Sequence, residues 1–382
     1  MELSSVKFYK ENAINNIVII ANDPLVATAL LRVASFWGRK CVVLSRYGCS
    51  YLRFAAACET FYEVEEEIIQ HQLMRSISDL ALDKTDNLFI AAGDISTRAL
   101  IITASENPLK TFPLPSLSSF DNLYRKDKFS ELCNLLNLPI PLTAVVEDRY
   151  GLTSFLCANA EISFPLIVKP IAMSGGIGIR VAKTPKQLQA IIDDTDYNYH
   201  PLVVQQYIDG EDIGVSLLCR AGQVHVAYVQ QRTSGGDRFP HGADLVGLAK
   251  KIVTNASYTG PAHIDARIDA SGKLYLIEFN ARFWASVELS TYIGIDLLSM
   301  PTDLHQNIVC QGLTRDSGAT FSLSHAISTI FWPSKLSRCE ANRFLRLIIR
   351  DPIGSIIKKS ELFRRVVCLK MRPPKYDTNL KS

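Results

Sequence analysis

The chain of 382 residues has no apolar run approaching the eighteen or more residues of a membrane span; Ile17–Ile20 is only a four-residue strand-like segment. Its nine cysteines, at 41, 49, 58, 133, 157, 219, 310, 339 and 368, form no C-x-x-C pair and no zinc-like spacing. With no secretory leader ahead of them, they read as mostly buried thiols of a reducing, cytoplasmic compartment. No G-x-G-x-x-G follows the first strand, which argues against a dinucleotide site there. Repeats, low-complexity tracts, nucleic-acid motifs and a recognisable Ser or Cys triad are also lacking.

What is present is 47% apolar residues, enough for a sizeable core, and a length that suggests two or three domains. The net charge of +3 is unevenly placed. Residues 334–382 hold 13 Lys and Arg against 4 Asp and Glu, and the rest 28 against 34. This basic segment also carries apolar residues at helical spacing, in Phe344–Ile349 and Leu362–Val367. Two readings stay open: a basic helical lobe packed on the core, or peripheral contact with an anionic surface.

Residues 1–115 read as an α/β unit with a parallel sheet. Strand Asn16–Ile20 meets the turn Asn22-Asp23-Pro24 and a helix from Leu25 to Phe36, Cys41–Leu44 is the next strand, and Leu88–Ala91 ends at Gly93-Asp94 before another helix. Prolines 108, 113 and 115 mark a boundary. Residues 116–305 form the central region, and residues 306–382 a basic, partly helical extension.

The central region carries the chemistry. Leu-Tyr-Leu-Ile-Glu278-Phe-Asn280-Ala-Arg282 places a carboxylate, an amide and a guanidinium on alternate positions of an apolar strand, so all three point the same way. An edge strand with one solvated face would explain such a triplet in isolation. It is not isolated: Asp265 lies in the alternating segment Ala262–Ile268, and Ser271-Gly272-Lys273 is a turn signal, so a hairpin brings Asp265 to Glu278. Two carboxylates and an amide beside an arginine suit Mg²⁺, which takes few protein ligands and completes its shell with phosphate oxygens.

Upstream, a helix over residues 127–136 precedes the strand Leu166–Lys169 and the loop Ser174-Gly175-Gly176-Ile177-Gly178, a hairpin flap whose glycines let backbone N–H groups approach phosphates. Then Gln205-Gln206-Tyr207-Ile208-Asp209-Gly210-Glu211 offers what an adenosine needs: the Gln205 side chain and the backbone of Gln206 and Ile208 for the base, Glu211 for the ribose. The polar stretch Gln230–Asp244 reads as a long loop, with Arg232 the foremost candidate for holding a substrate carboxylate, ahead of Arg238, His241 and Asp244. Phe283 and Trp284 read as core aromatics that could also wall the site.

In this order the motifs resemble the ATP-grasp superfamily, most closely its carboxylate–amine ligase and carbamoyl-phosphate-synthase-like branch, over roughly residues 120–300. The resemblance implies an ATP-grasp fold of two lobes with ATP between them, preceded by a Rossmann-like α/β domain. It implies ATP with Mg²⁺ or Mn²⁺. Lys128 and Lys169 correspond to the pair on the nucleotide phosphates, Ser174, Gly175, Gly176 and Gly178 to the flap, and Gln205, Gln206, Tyr207, Ile208 and Glu211 to the nucleoside contacts. Asp265, Glu278 and Asn280 correspond to the metal ligands, and Arg282 to the residue that steadies the transferred phosphoryl. Gln206 stands where many relatives have Glu, and Ala281 where many have Pro. The implied activity is phosphorylation of a small-molecule carboxylate to an acyl phosphate that an amine attacks. Another acceptor, such as a thiol, and a non-catalytic nucleotide-binding protein remain alternatives. A homodimer is the default assembly, with no nucleic-acid partner.

Overall fold

The computed structural model describes residues 16–64, 67–82, 86–158, 163–299, 320–331 and 337–371. Its first layer grows from short, wholly apolar runs. Strand β1 (Asn16–Ala21) is buried from Ile17 onward on both faces, the pattern of a parallel strand covered by helices. It pairs in parallel with β2 (Cys41–Arg46) and with β4 (Asn87–Ala92), and β3 (Cys58–Val64) closes the edge, giving the order β3-β2-β1-β4.

Helix α1 (Pro24–Phe36) starts where Asp23 Oδ1 accepts the N–H groups of Leu25 at 2.9 Å and Val26 at 3.2 Å, with Pro24 in its first turn. Helices α2 (Gln70–Asp79) and α3 (Asp94–Glu106) pack together on the other side. The strand order reverses between β1 and β4. Asp23 and Asp94, at the C-terminal ends of these two strands, therefore flank the crevice where such sheets receive ligands.

Helices α4 (Leu117–Tyr124) and α5 (Lys126–Leu135) lead into two antiparallel sheets. The smaller has the order β5-β8-β6-β7, from Thr143–Val146, Leu202–Gln206, Leu166–Pro170 and Arg180–Ala182. Helices α6 (Gly151–Ala158) and α7 (Pro185–Asp193) contribute Leu152, Phe155, Leu188 and Ile191 to its core. The larger has the order β11-β10-β9-β12-β13, from Gly236–Arg238, Gln223–Thr233, Gly210–Arg220, Gly260–Asp269 and Leu274–Asn280. Helix α8 (Ala243–Asn255), α4 and α5 share its core through Leu245, Ile252, Phe120 and Phe129.

One sequence expectation shifts here and another is met. The stretch 230–244 is not a long loop: β10 runs on to Thr233 and folds back as β11, a tight hairpin in which Thr233 Oγ1 donates to Gly236 O at 2.9 Å. The basic C-terminal segment, where described, consists of α10 (Leu323–Phe331), α11 (Arg338–Arg350) and α12 (Pro352–Met371), following the short helix α9 (Leu289–Tyr292). It is packed on the core, the first of the two readings open from the sequence. Ala341, Phe344, Leu347 and Ile357 are buried in one core with α1, and Arg32 Nη1 and Ser35 Oγ reach the carbonyls of Asp351 and Arg350 at 3.4 and 3.2 Å. A capping box joins Ser337 and Glu340 at the start of α11. Among the described residues, no helix is long and apolar enough to cross a membrane.

Candidate active site

The hairpin read from the sequence is present, and it sets the site. β12 and β13 pair Asp265 with Glu278 and His263 with Asn280, so four polar side chains leave one end of an otherwise apolar ribbon. Asn280 Nδ2 donates to Asp265 Oδ2 at 2.8 Å, and His263 Nε2 lies 3.2 Å from Asp265 Oδ1. His263 is held from behind by Ser216 Oγ at 3.0 Å and stacks on Trp284 with centroids 5.5 Å apart. Gly214 makes room for it: a Cβ there would meet the imidazole at 2.6 Å. Burial works to raise the Asp265 carboxyl, but His263, Glu278 and Asn280 outweigh it and hold it below the usual range.

Two buried lysines face these acids. Lys126, in the first turn of α5, lies 3.4 Å from Glu278 Oε2 and donates to Met173 O, at the root of the glycine loop, at 2.6 Å. Lys169, at the end of β6, donates to Gln205 Oε1 at 2.9 Å, and Gln205 Nε2 in turn donates to Thr143 Oγ1 at 2.8 Å. Burial lowers the Lys169 ammonium to about 8; Glu278 and Asp265 favour its charge while Lys126 opposes it.

Three residues therefore stand differently from expectation. Lys128 is half-exposed on the outer face of α5 and pairs with Glu131 at 2.9 Å; Lys126, two residues earlier, is the lysine that meets the acids. Gln205 is only 2% exposed, and both ends of its amide are engaged by Lys169 and Thr143, so it positions a lysine rather than meeting a base. Arg282 is clamped by Asp94 of the first sheet, with Nε to Oδ1 at 2.7 Å and Nη2 to Oδ2 at 3.3 Å, while Nη1 donates to Phe283 O at 2.8 Å. Burial acts against its charge, but Asp94 and Asp23 more than compensate and raise it. Two of its five N–H groups remain for a ligand.

The remaining candidates divide between those that line one cavity and those that do not. Asp265, Glu278, Asn280, Arg282, Arg232, Gly175 and Gly176 all line one open cavity of about 340 Å³. Ser174 and Gly178 belong to the same loop; Gly178 has a positive φ of 74°, and a Cβ there would strike Pro170 at 2.6 Å, so this turn needs glycine. Gln206 and Tyr207 give their backbone N–H groups to Leu142 O and Pro165 O at 2.9 and 3.0 Å. The Tyr207 ring lies under Arg267, and Ile208 is buried. Glu211, beside the cavity-lining Asp212, accepts from Gln231 Nε2 at 2.6 Å. Arg232 is mostly exposed and pairs with Asp237 at 3.2 Å. Arg238 donates to Thr320 Oγ1 at 3.0 Å, and His241 and Asp244 are exposed; none of these three lines the cavity.

Asp23, Lys358 and Leu362 also line the cavity, and sequence reasoning missed them with Lys126, Asp94 and His263. A signal for Lys126 did exist: it lies three and seven residues before Phe129 and Cys133, on the buried face of α5. Nothing local marks Asp94, 188 residues from its arginine. Lys358 comes from α12 and is ion-paired with Glu288.

Among the described residues, no group of three or more His, Cys, Asp and Glu side chains is arranged to hold a metal ion. The donors present are two carboxylates and an amide carbonyl beside buried lysines. That set fits a hard divalent cation whose remaining ligands are phosphate oxygens, and would not suffice for a cation held by protein alone.

Known proteins with these features are informative. Residues 198–317 match the family described as ATP-grasp in the biosynthetic pathway with Ter operon, and residues 141–242 match the D-Ala–D-Ala ligase C-terminus. The arginine-specific carbamoyl phosphate synthase large chain of Bacillus subtilis (strain 168) is 25% identical over 205 residues, 50% of this chain and 20% of that one. The chain thus spans a small part of that relative. The D-alanine–D-alanine ligase of Ectopseudomonas mendocina (strain ymp) is 27% identical over 223 residues, 53% of this chain and 69% of that one. Among solved structures, an L-amino acid ligase from Bacillus licheniformis superposes with a TM-score of 0.56 at 19% identity, covering 77% of this chain and 74% of that one. A biotin carboxylase from Campylobacter jejuni gives 0.55 at 18% identity, covering 79% and 73%.

Proposed function

From the premise that this chain has the ATP-grasp fold, we propose that it is an ADP-forming ligase that joins a small-molecule carboxylate to an amine through an acyl phosphate. One observation carries the reading: Asp265 and Glu278 face the buried Lys126 and Lys169 at one end of a cavity whose other walls come from the first sheet, the β10–β11 hairpin and α12. Phosphoryl transfer needs positioned positive charge and a hard-cation site, and little covalent chemistry from the protein.

Asp265, Glu278 and Asn280 are the residues that would hold Mg²⁺, which when bound would offset charge on the phosphates. Lys126 and Lys169 take the nucleotide's phosphate oxygens. Lys126 also ties Glu278 to the root of the glycine loop through Met173 O, so the loop closes over phosphates already in contact with it. Arg232, free to swing from its exposed pair with Asp237, binds the substrate carboxylate. The two remaining N–H groups of Arg282, which lines the cavity, steady the transferred phosphoryl group. The carboxylate oxygen attacks the γ-phosphorus and ADP departs; the amine then attacks the acyl carbon, the C–O bond to phosphate breaks, and the inorganic phosphate leaves with the amine's proton, with water kept out by the closed loop.

Several relatives are named as amino acid ligases, which makes D- and L-amino acid pairs the first substrates to test. The assay is Mg²⁺-dependent ADP release from pooled carboxylates with and without pooled amines, with Glu278→Gln as control. The reading predicts release that requires one acid and one amine, a condensed product by mass spectrometry, and a loss of about a thousandfold or more in the variant. Release that Glu278→Gln leaves intact would refute it.

A further inference from the structure

The inner faces of α11 and α12 are packed on the first domain, but their outer faces mix large apolar side chains with basic ones. Ile356 and Phe363 are 67% and 71% exposed, and they share one stripe of α12 with Lys359 between them. Ile349, at the end of α11, and Ile353, at the start of α12, extend the patch, each about half exposed or more. Phe54 joins from the turn Ser50–Phe54, which packs against α12; Ala56 N donates to Asp351 Oδ1 at 3.1 Å beside it. Singly exposed hydrophobic residues need no explanation, but a group of five on adjoining elements does.

The charges around this patch are of one sign. Arg346, Lys359 and Arg364 are exposed, whereas of the acids of these helices Asp351 and Glu361 are buried and Glu340 is engaged by Ser337 at the far end of α11. Asp351 is fully buried, and Glu361 is 6% exposed, accepting from Tyr51 Oη at 2.6 Å and Arg364 Nη1 at 3.1 Å. Arg364 also lies over the Tyr51 ring. The exposed charges of the described part of this segment are thus mainly basic.

We infer that this face docks on an anionic lipid bilayer, with Ile349, Ile353, Ile356, Phe363 and Phe54 entering the interface and Arg346, Lys359 and Arg364 meeting acidic headgroups. Apolar side chains interleaved with lysine and arginine match the two layers of a membrane surface. A second copy of the chain is a poorer occupant, because an isologous contact centred on Ile356 would set Lys359 and Arg364 against their own equivalents. The lysines and acids of the nucleotide site lie elsewhere, so this docking stands independently of the proposed reaction.

The test is co-sedimentation of the full chain with phosphatidylglycerol and with phosphatidylcholine vesicles. Binding to the first alone, weakened by salt, is expected. Ile356→Asp with Phe363→Asp abolishes it, and Lys359→Gln lowers partitioning about fivefold, the effect of one basic residue near an acidic surface. Far-ultraviolet circular dichroism verifies that the variants remain folded. No sedimentation with phosphatidylglycerol, or equal sedimentation by the double variant, overturns the inference. So does concentration-dependent dimerisation that the double variant abolishes while vesicles bind neither form, which would assign the face to a second copy.

Discussion

Two sets of charges meet around one cavity, and they are built differently. On the hairpin β12–β13, Asp265 and Glu278 keep 44% and 26% of their side chains exposed, and their contacts to His263 and Lys126 are 3.2 and 3.4 Å long. Where the lobes join, Arg282 and Asp94 are 6% and 11% exposed and held at 2.7 Å, and Lys358 and Glu288 are 11% and 5% exposed. The joining pairs are more deeply buried and each is held by its counter-charge, although Arg282 and Lys358 also line the cavity. The hairpin acids keep free lone pairs turned to the cavity. Charges buried against a buried counter-charge set how elements sit together, while the more exposed charges of a cleft are those most available for chemistry.

The comparison breaks most visibly at Asp94. Asp94→Asn leaves the Arg282 guanidinium buried without its counter-charge, and should lower unfolding free energy by about 3–5 kcal/mol in urea denaturation. Loss of less than about 1 kcal/mol would mean that the pair does not join the lobes.

The next contrast lies within α5. Lys126→Met should weaken nucleotide binding roughly ten- to a hundredfold, the value of a charge-assisted contact, while Lys128→Met, which breaks only an exposed pair with Glu131, should leave affinity unchanged. Equal effects in calorimetric titration would undo the distinction.

The smallest effect is a pH dependence at Lys169. Burial lowers this lysine to about 8 in the free protein, and bound phosphates favour its charged form and move it up again. Nucleotide affinity should therefore be full below pH 8 and fall by up to about tenfold per pH unit above it, until the bound-state value is reached. Lys169→Arg, charged throughout, should flatten that slope; a slope kept in the variant would assign the titration elsewhere.

How much of this was legible depended on how local each feature is. The hairpin was, because alternation on β12 and β13 and the tight turn between them fix both register and face within about twenty residues. Asp269 Oδ1 secures that turn by accepting from the N–H groups of Ser271 and Lys273. The first sheet was legible where strands are continuously apolar, as in β1 and β4, and not at β3, whose half-buried edge mixes polar and apolar residues. The choice between Lys126 and Lys128 turned on helix phase, and the spacing from Lys126 to Phe129 and Cys133 held the answer. Gln205 was misread because a buried glutamine and a ligand-binding one look alike until the partner strand places Lys169 and Thr143 at its two ends. Asp94, Glu288 and Lys358 meet their partners only through tertiary packing, across intervals that no local pattern spans.

The central claim is that Asp265 and Glu278, with the lysines facing them, form a site for a divalent cation and nucleotide phosphates. The most direct measurement is isothermal titration of ATP into wild type, Asp265→Asn and Glu278→Gln, each with and without Mg²⁺. Wild type should bind ATP at least about tenfold more tightly with Mg²⁺, and both variants should lose that gain. A Mg²⁺ dependence identical in all three proteins would contradict the account.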